Sequence, residues 1–353
     1  MWAKSILLGF SVFLASPVFA AERWSHDDTG ISIDRASGDL SLVEEQDKSG
    51  GAKADNILQF GTANEPATLY LYRSSFPNPA LWFPMTRAAM VINMHGLPAA
   101  PSAPTPFTTG GASAPNGLRW VTPLPETSRA RATGVAIVQV GEWILKLRIT
   151  SRTRDANGVG KRLDTLLAMI HFSAPPPRPL PLTTPAACKG EAWDTGIIIT
   201  DKPNDDEMGA AMLSATNALF AASGVSGLAR EPGKWCKDES VSISSGMISL
   251  YRPISGPPQW VMFVGDSGIT ITAQDLSDYA KTARNIKDFR ARAVMLTNNW
   301  AGTRVVGFFD NMPFPQTSIN LALPVAVGQR PALFSVSAGK MPKTKGDAKA
   351  AGK

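Results

Sequence analysis

Three histidines, two cysteines, one acidic run and one aromatic cluster are the side chains of this chain with the most chemistry to offer. His26, His95 and His171 lie far apart, and none stands in an H-E-x-x-H or H-x-E spacing that would put a second ligand or a base on the same face. No metal is expected. A serine nucleophile would announce itself as G-x-S-x-G or S-x-x-K; Gly224-Val225-Ser226-Gly227 is one residue short of the first, and the second is absent. No glycine-rich phosphate loop follows a strand, so no nucleotide and no other cofactor is expected. Asp201, Asp205, Asp206 and Glu207 are close enough for a hard cation. They lack the alternating oxygen ligands and central glycine of a calcium loop, and helix capping accounts for them more simply. Tyr70, Tyr72, Trp82 and Phe83 are the candidate ligand-binding residues, with core packing the competing use of the same rings.

Cys188 and Cys236 are the only cysteines, and their meaning depends on the compartment. The first residues read as a secretory signal: Lys4, the apolar run Ile6 to Leu14, then Val18-Phe19-Ala20 as a small-residue cleavage site. The run is too short to span a membrane comfortably, and no second run of membrane length follows. The mature chain is therefore expected to begin at Ala21, without a transmembrane segment, in the periplasm or outside the cell. An isolated cysteine pair in that oxidising setting is expected as a disulfide, worth about 4 kcal/mol on the loop-entropy account.

The net charge of +6 is an end effect. With Lys4 and the tail's five lysines and Asp347 set aside, residues 21–337 hold 29 basic and 28 acidic residues. A nucleic-acid surface would need basic residues clustered in the folded part, so no nucleic acid is expected. The tail 338–353 offers almost nothing to bury and is expected to be disordered.

The elements that must position these groups come from periodicity. Thr133 to Val140 is β-rich, Gly141-Glu142 is a turn, and in Trp143 to Thr150 the apolar Trp143, Leu145, Leu147 and Ile149 alternate with the polar-face Lys146, Arg148 and Thr150. Leu163, Leu166, Leu167 and Ile170 follow helical spacing. Upstream, Trp24 to Ile33 opens a strand region, Ala67 to Arg73 is a strand, and Asn78-Pro79 caps a helix whose regular part is placed from about Leu81 because of Pro84. Gly96 to Gly117, with five prolines and no charge, is expected to be disordered.

Six prolines in Ser173 to Ala187 mark a semi-rigid linker with few contacts across it. Beyond it, Asn204 and Glu207 form a capping box for a helix carrying Met208, Met212, Ala215, Leu219 and Ala222. Strands follow at 242–251, 260–264 and 268–272, then a short helix capped by Asp275 and Asp278, and a hairpin from 294–298 to 303–310. The phrases "LYLYRSSFPNPALW" (Leu69 to Trp82) and "ISLYRPISGPPQW" (Ile248 to Trp260) echo one another faintly.

The phrases "TLYLYR", "LWFPMTRAAM", "EWILKLRITSR" and "RLDTLLAMIHF", in that order, resemble the PsbP-like α/β/α sandwich. The resemblance covers the first domain and rests on packing motifs. It implies an antiparallel sheet between helices, and the non-catalytic accessory, adaptor or lipoprotein roles common among such modules. The Pro-rich loop departs from the pattern.

The expected organisation is α+β in two domains, each an antiparallel sheet packed with helices: a signal peptide (1–20), a first domain (21–172), the linker (173–187), a second domain (188–337) and the tail (338–353). The expected role is that of an exported, non-enzymatic binding or accessory protein of the cell envelope. Its partner would be an envelope protein or a small apolar ligand. The alternatives are a hydrolase whose site assembles only in the fold, and a carrier of an apolar ligand.

Overall fold

Along Trp143–Ser151, Leu145, Leu147 and Ile149 pack to one side with a leucine-rich cluster, while Ile144 packs to the other. A strand buried on both faces belongs in the middle of a layered structure. The computed structural model describes residues 22–93, 103–176, 179–189, 198–199, 203–224, 227–239, 247–256, 258–266, 268–281 and 289–337. The expected signal peptide, His95, Asp201, the Val225-Ser226 pair and the lysine-rich tail lie outside them.

The first domain runs β1 (Arg23–His26), β2 (Ile31–Asp34), β3 (Ala36–Ser37), β4 (Leu40–Asp47), β5 (Asp55–Thr62), β6 (Glu65–Arg73), α1 (Pro79–Asn93), β7 (Thr105–Phe107), β8 (Gly117–Pro123), β9 (Ala132–Val140), β10 (Trp143–Ser151), α2 (Ala156–Ala168) and β11 (Ile170–Phe172). Its 8-stranded sheet has the order β3-β4-β5-β6-β10-β9-β8-β7, antiparallel throughout. A 3-stranded sheet β1-β2-β11 lies beside it. Val159, Leu163 and Leu166 of α2 pack on the outer face, where Leu58, Leu69, Leu145 and Leu147 meet Ile31 and Ile33 of the small sheet.

The second domain runs β12 (Ala186–Ala187), α3 (Asp205–Gly224), α4 (Gly227–Arg230), β13 (Trp235–Asp238), β14 (Ile248–Pro253), β15 (Gln259–Val264), β16 (Ile269–Asp275), α5 (Ser277–Ala280), β17 (Ala293–Asn299), β18 (Gly302–Phe309), α6 (Pro315–Ala326) and β19 (Phe334–Ser337). These strands form a second 8-stranded sheet in sequence order. β12 pairs in parallel with β13, and every other neighbouring pair is antiparallel. Ala322 of α6 packs with Met262, Ile271 and Met295 on one face. On the other face α3 covers Leu296 and Val305, and α1 of the first domain covers Val261 and Phe263. The protein is thus α+β with two domains, and α1 lies between their sheets.

The capping box is formed as expected: Asn204 Oδ1 accepts from the Glu207 backbone N–H (2.8 Å), and Glu207 Oε2 accepts from the Asn204 N–H (3.0 Å). Glu207 Oε1 also takes the N–H groups of Arg290 and Ala291, so this carboxylate anchors α3 to the chain ahead of β17. The disulfide Cys188–Cys236 is present, with S–S 2.03 Å, beside the β12–β13 pair.

Three local expectations are corrected. Helix α1 begins at Pro79 and runs through Pro84, because Asn78 Oδ1 caps the Ala80 N–H and its backbone carbonyl takes the Leu81 N–H. Within the Pro-rich loop, β7 pairs with β8 and Asn116 Oδ1 accepts from Thr109 N–H, so residues 105–117 are structured and the uncharged loop closes the sheet edge. The helical stripe expected to reach Ile170 stops at Ala168, since Ile170, His171 and Phe172 pair with β2 instead, a use that suits β-branched and aromatic residues.

Candidate functional site

The four aromatic residues singled out from the sequence meet at the seam between the two sheets. Trp82 is fully buried, with ring centroids 6.0 Å from Tyr72 and 4.8 Å from Phe263 of the other domain. Its indole N–H donates to the Phe76 carbonyl (2.8 Å) and lies 3.1 Å from Ser74 Oγ. Phe83 packs edge-on to Trp120 at 6.4 Å. Tyr72 is buried, and Tyr70 is half-buried. Each fully buried aliphatic or phenyl side chain here, Leu81 and Phe263 among them, stabilises the seam by about 1.5–3 kcal/mol.

The sequence reading missed the polar centre of this seam. Lys146 of β10 is 1% exposed and reaches across to Asp266 in the turn between β15 and β16, with Nζ 2.7 Å from Oδ2 and 2.9 Å from its backbone carbonyl. Thr86 of α1 donates to the other carboxylate oxygen at 2.6 Å. Lys146 Nζ also sits 4.4 Å from the Tyr70 ring centroid and 5.7 Å from that of Tyr72, a cation over two ring faces. Burial lowers the Lys146 pKa, opposed by Asp266, and burial raises those of Asp55 and Tyr72. Gly268, at φ +80°, lies flat on Tyr72: a Cβ there would stand 2.9 Å from the ring.

Asn78 is fully buried and ties α1 to two further segments through Pro181 O (2.9 Å) and Ala229 O (3.1 Å). Leu180 is buried in the same cluster, and its N–H donates to Gln139 Oε1. Leu180, Pro181 and Leu182 of the Pro-rich segment lie at the seam, and the segment carries contacts to both domains.

Two histidines can be placed. His26 is 1% exposed, stacked at 5.8 Å on Trp24 and edge-on at 4.6 Å to Trp143, with Nε2 2.8 Å from Lys53 O and Nδ1 3.1 Å from Thr29 Oγ1. His171 sits on β11, not at a helix end, with Nε2 2.8 Å from Asp34 Oδ2. That contact, and Arg23 beside it, holds the Asp34 pKa low. Ser32 stands directly opposite His171 in the β2–β11 ladder.

Two surface clefts are formed by described residues. One, of about 390 Å³, lies between α2 and β8, and its Arg119 and Asp164 pair with each other at 2.6 Å. The other, of about 320 Å³, is lined by Trp143, Phe172, Val140, Pro175, Pro176 and Asp28, among others. Its walls are supported from behind. His26 packs on Trp143, and Gly110, at φ +66°, lies so close to Phe172 that a Cβ would stand 2.8 Å from the ring. Among the described residues no group of three His, Cys, Asp or Glu could hold a metal ion, and no helix is long and apolar enough to cross a membrane.

No protein-family profile matches the chain, and no curated protein is similar to it. Among solved structures, the chain is similar to the cyanobacterial PsbP of Synechocystis sp., at 10% identity and a TM-score of 0.31 over 44% of this chain and 96% of that one. It is also similar to a protein of Bacteroides thetaiotaomicron, at 7% identity and a TM-score of 0.25 over 68% of this chain and 85% of the other. Both similarities amount to a weak likeness of fold and nothing more.

Proposed function

We propose that this chain is an exported binding or accessory protein of the cell envelope that acts by recognition and not by catalysis. One observation carries the reading: the cleft at Trp143 and Phe172 has aromatic walls fixed from behind by His26 and Gly110. A concave surface held in shape before a ligand arrives loses little order on binding. The buried polar groups with chemical potential, Lys146, Asp266, His26 and Glu207, are engaged in internal contacts that hold the fold. The signal-like start and the Cys188–Cys236 disulfide support export. The test is expression of the full chain followed by fractionation, N-terminal mass and native mass spectrometry. A product starting at Ala21, found in the envelope fraction and retaining a ligand or a defined partner, is the expected result. A purified protein that turns over an ester, glycoside or peptide substrate, and loses this through one point substitution, would overturn it.

A second reading, a hydrolase, has one specific observation in its favour, the His171–Asp34 pair with Ser32 across the ladder. Ester turnover abolished by both His171→Ala and Ser32→Ala would establish it. Turnover absent, or unchanged in both variants, would remove it.

A further inference from the structure

We infer that the Trp143–Phe172 cleft takes a small organic cation, an ammonium or guanidinium head on a short apolar stem; this rests on the binding-protein reading above. Two features of the cleft, its walls and its charge, point the same way.

The lining includes two aromatic rings, Trp143 (7% exposed) and the half-buried Phe172, with Val140, Pro175 and Pro176, and it also carries the polar Thr29 and Ser173. Ring faces attract cations through their quadrupole, and apolar walls shed water from an alkyl stem. Both rings are held in place, Trp143 by His26 at 4.6 Å and Phe172 by Gly110. The volume, about 320 Å³, is at the small end for ligand pockets, which suits a compact molecule and not an extended chain.

Among the described lining residues the charge is negative and only partly compensated. Glu142 lines the cleft and pairs with Arg73 at 2.8 Å. Asp28 also lines it, is exposed, and makes no hydrogen bond or ion pair with the described residues. Asp27 beside it is exposed as well. A carboxylate lining the same cleft as two aromatic rings complements a positive head, which can meet a ring face while its stem lies on the apolar part of the lining. An anionic ligand would meet like charge there, and a neutral apolar one would leave Asp28 without a role.

The other cleft, between α2 and β8, offers no comparable case, because its one carboxylate, Asp164, is paired with Arg119 and Lys161 adds a positive charge.

The experiment is calorimetric titration of the full mature chain with n-butylammonium, with n-butylguanidinium and with an arginine-containing tripeptide amide, beside n-butanol as the neutral isostere, at low and at moderate salt. The expected result is binding of the two small cations, weakened by salt, with n-butanol bound at least about tenfold more weakly. Asp28→Asn is expected to weaken the cations about tenfold and leave n-butanol unchanged. Phe172→Leu keeps apolar bulk and removes the ring face, so it should weaken the cations more than the alcohol. Equal binding of cation and alcohol, or cation binding indifferent to Asp28→Asn, overturns the ligand class while leaving a binding protein in place. Binding confined to an arginine-containing tripeptide amide overturns the small-molecule occupant. No binding by any probe overturns the assignment of this cleft. Export and partner retention are read separately, so the two failures are distinguishable.

Discussion

At the seam, Trp82 meets Tyr72 on one side and Phe263 on another, and its N–H has an acceptor in Phe76 O. In the cleft, Phe172 rests on Gly110 and is half-buried with one side toward open space, while Trp143 rests on His26 and is 7% exposed. The two regions have similar composition and opposite consequences. Aromatic residues packed from all sides contribute cohesion, and here they join two sheets into one body. Aromatic residues packed from one side contribute a surface. Substitutions at the seam should therefore be read in stability and those of Phe172 and Asp28 in binding, while Trp143, part of the first domain's core, answers to both.

Trp82→Ala is the strongest way to break that contrast. Removing a fully buried indole should cost about 3–5 kcal/mol, read as the denaturation midpoint at unchanged slope. Because the cluster contains residues from both domains, a single transition should move as a whole. Two separate transitions would mean that the seam does not couple the domains. Reduction of Cys188–Cys236 tests the same coupling from the β12–β13 edge of the second sheet, next to Trp235 of the seam cluster. It should lower stability by about 4 kcal/mol on the entropy model and shift that same single transition. A shift confined to one of two transitions would restore independent domains and a linker with few contacts.

Asp266→Asn comes next. It leaves the buried Lys146 ammonium without its counter-charge, a change that typically costs about 3 kcal/mol or more. The same pair gives a pH signature with a definite sign. Burial lowers the Lys146 pKa below 10.5 in the folded state. Between that lowered value and 10.5 the unfolded chain holds the extra proton, so the contribution of Lys146 to stability rises with pH across this window and is lost as pH falls through the folded value. Measured as wild type minus Lys146→Met, the stability difference should grow as pH approaches 10.5. A flat difference would place Lys146 in contact with water.

The local rules that could be read from the chain are those whose causes are local. The Asn204–Glu207 capping box, the Leu163 and Leu166 stripe of α2, the β17–β18 hairpin and the cysteine pairing each depend on residues near in sequence or on elimination. Lys146 shows where this stops. Alternation placed it on the polar face of its strand, and it is on that face, but the face is covered by a turn 120 residues away. The Pro-rich segment fails for the same reason: its composition predicts extension, and nothing in it predicts that Leu180 enters a core shared by both sheets. The aromatic cluster was visible as a cluster, yet whether rings face a core or a cleft depends on what packs on the second side. Phe172 was visible only as the end of a packing phrase, and its place in a cleft wall follows from a glycine 62 positions earlier.

The smallest expected effect is the one that sharpens the comparison most. Asp28 lies on an exposed turn and makes no described contact. Asp28→Asn should therefore change unfolding free energy by no more than about 0.5 kcal/mol, the ordinary range for a surface substitution, while cation binding falls. Urea denaturation of the variant and the wild type, measured side by side at the salt used for the titrations, checks this. A loss above about 1 kcal/mol would be a core-like response. It would mean that the Asp28 carboxylate holds the β1–β2 turn in place, and that the cleft, like the seam, is part of what keeps the protein folded.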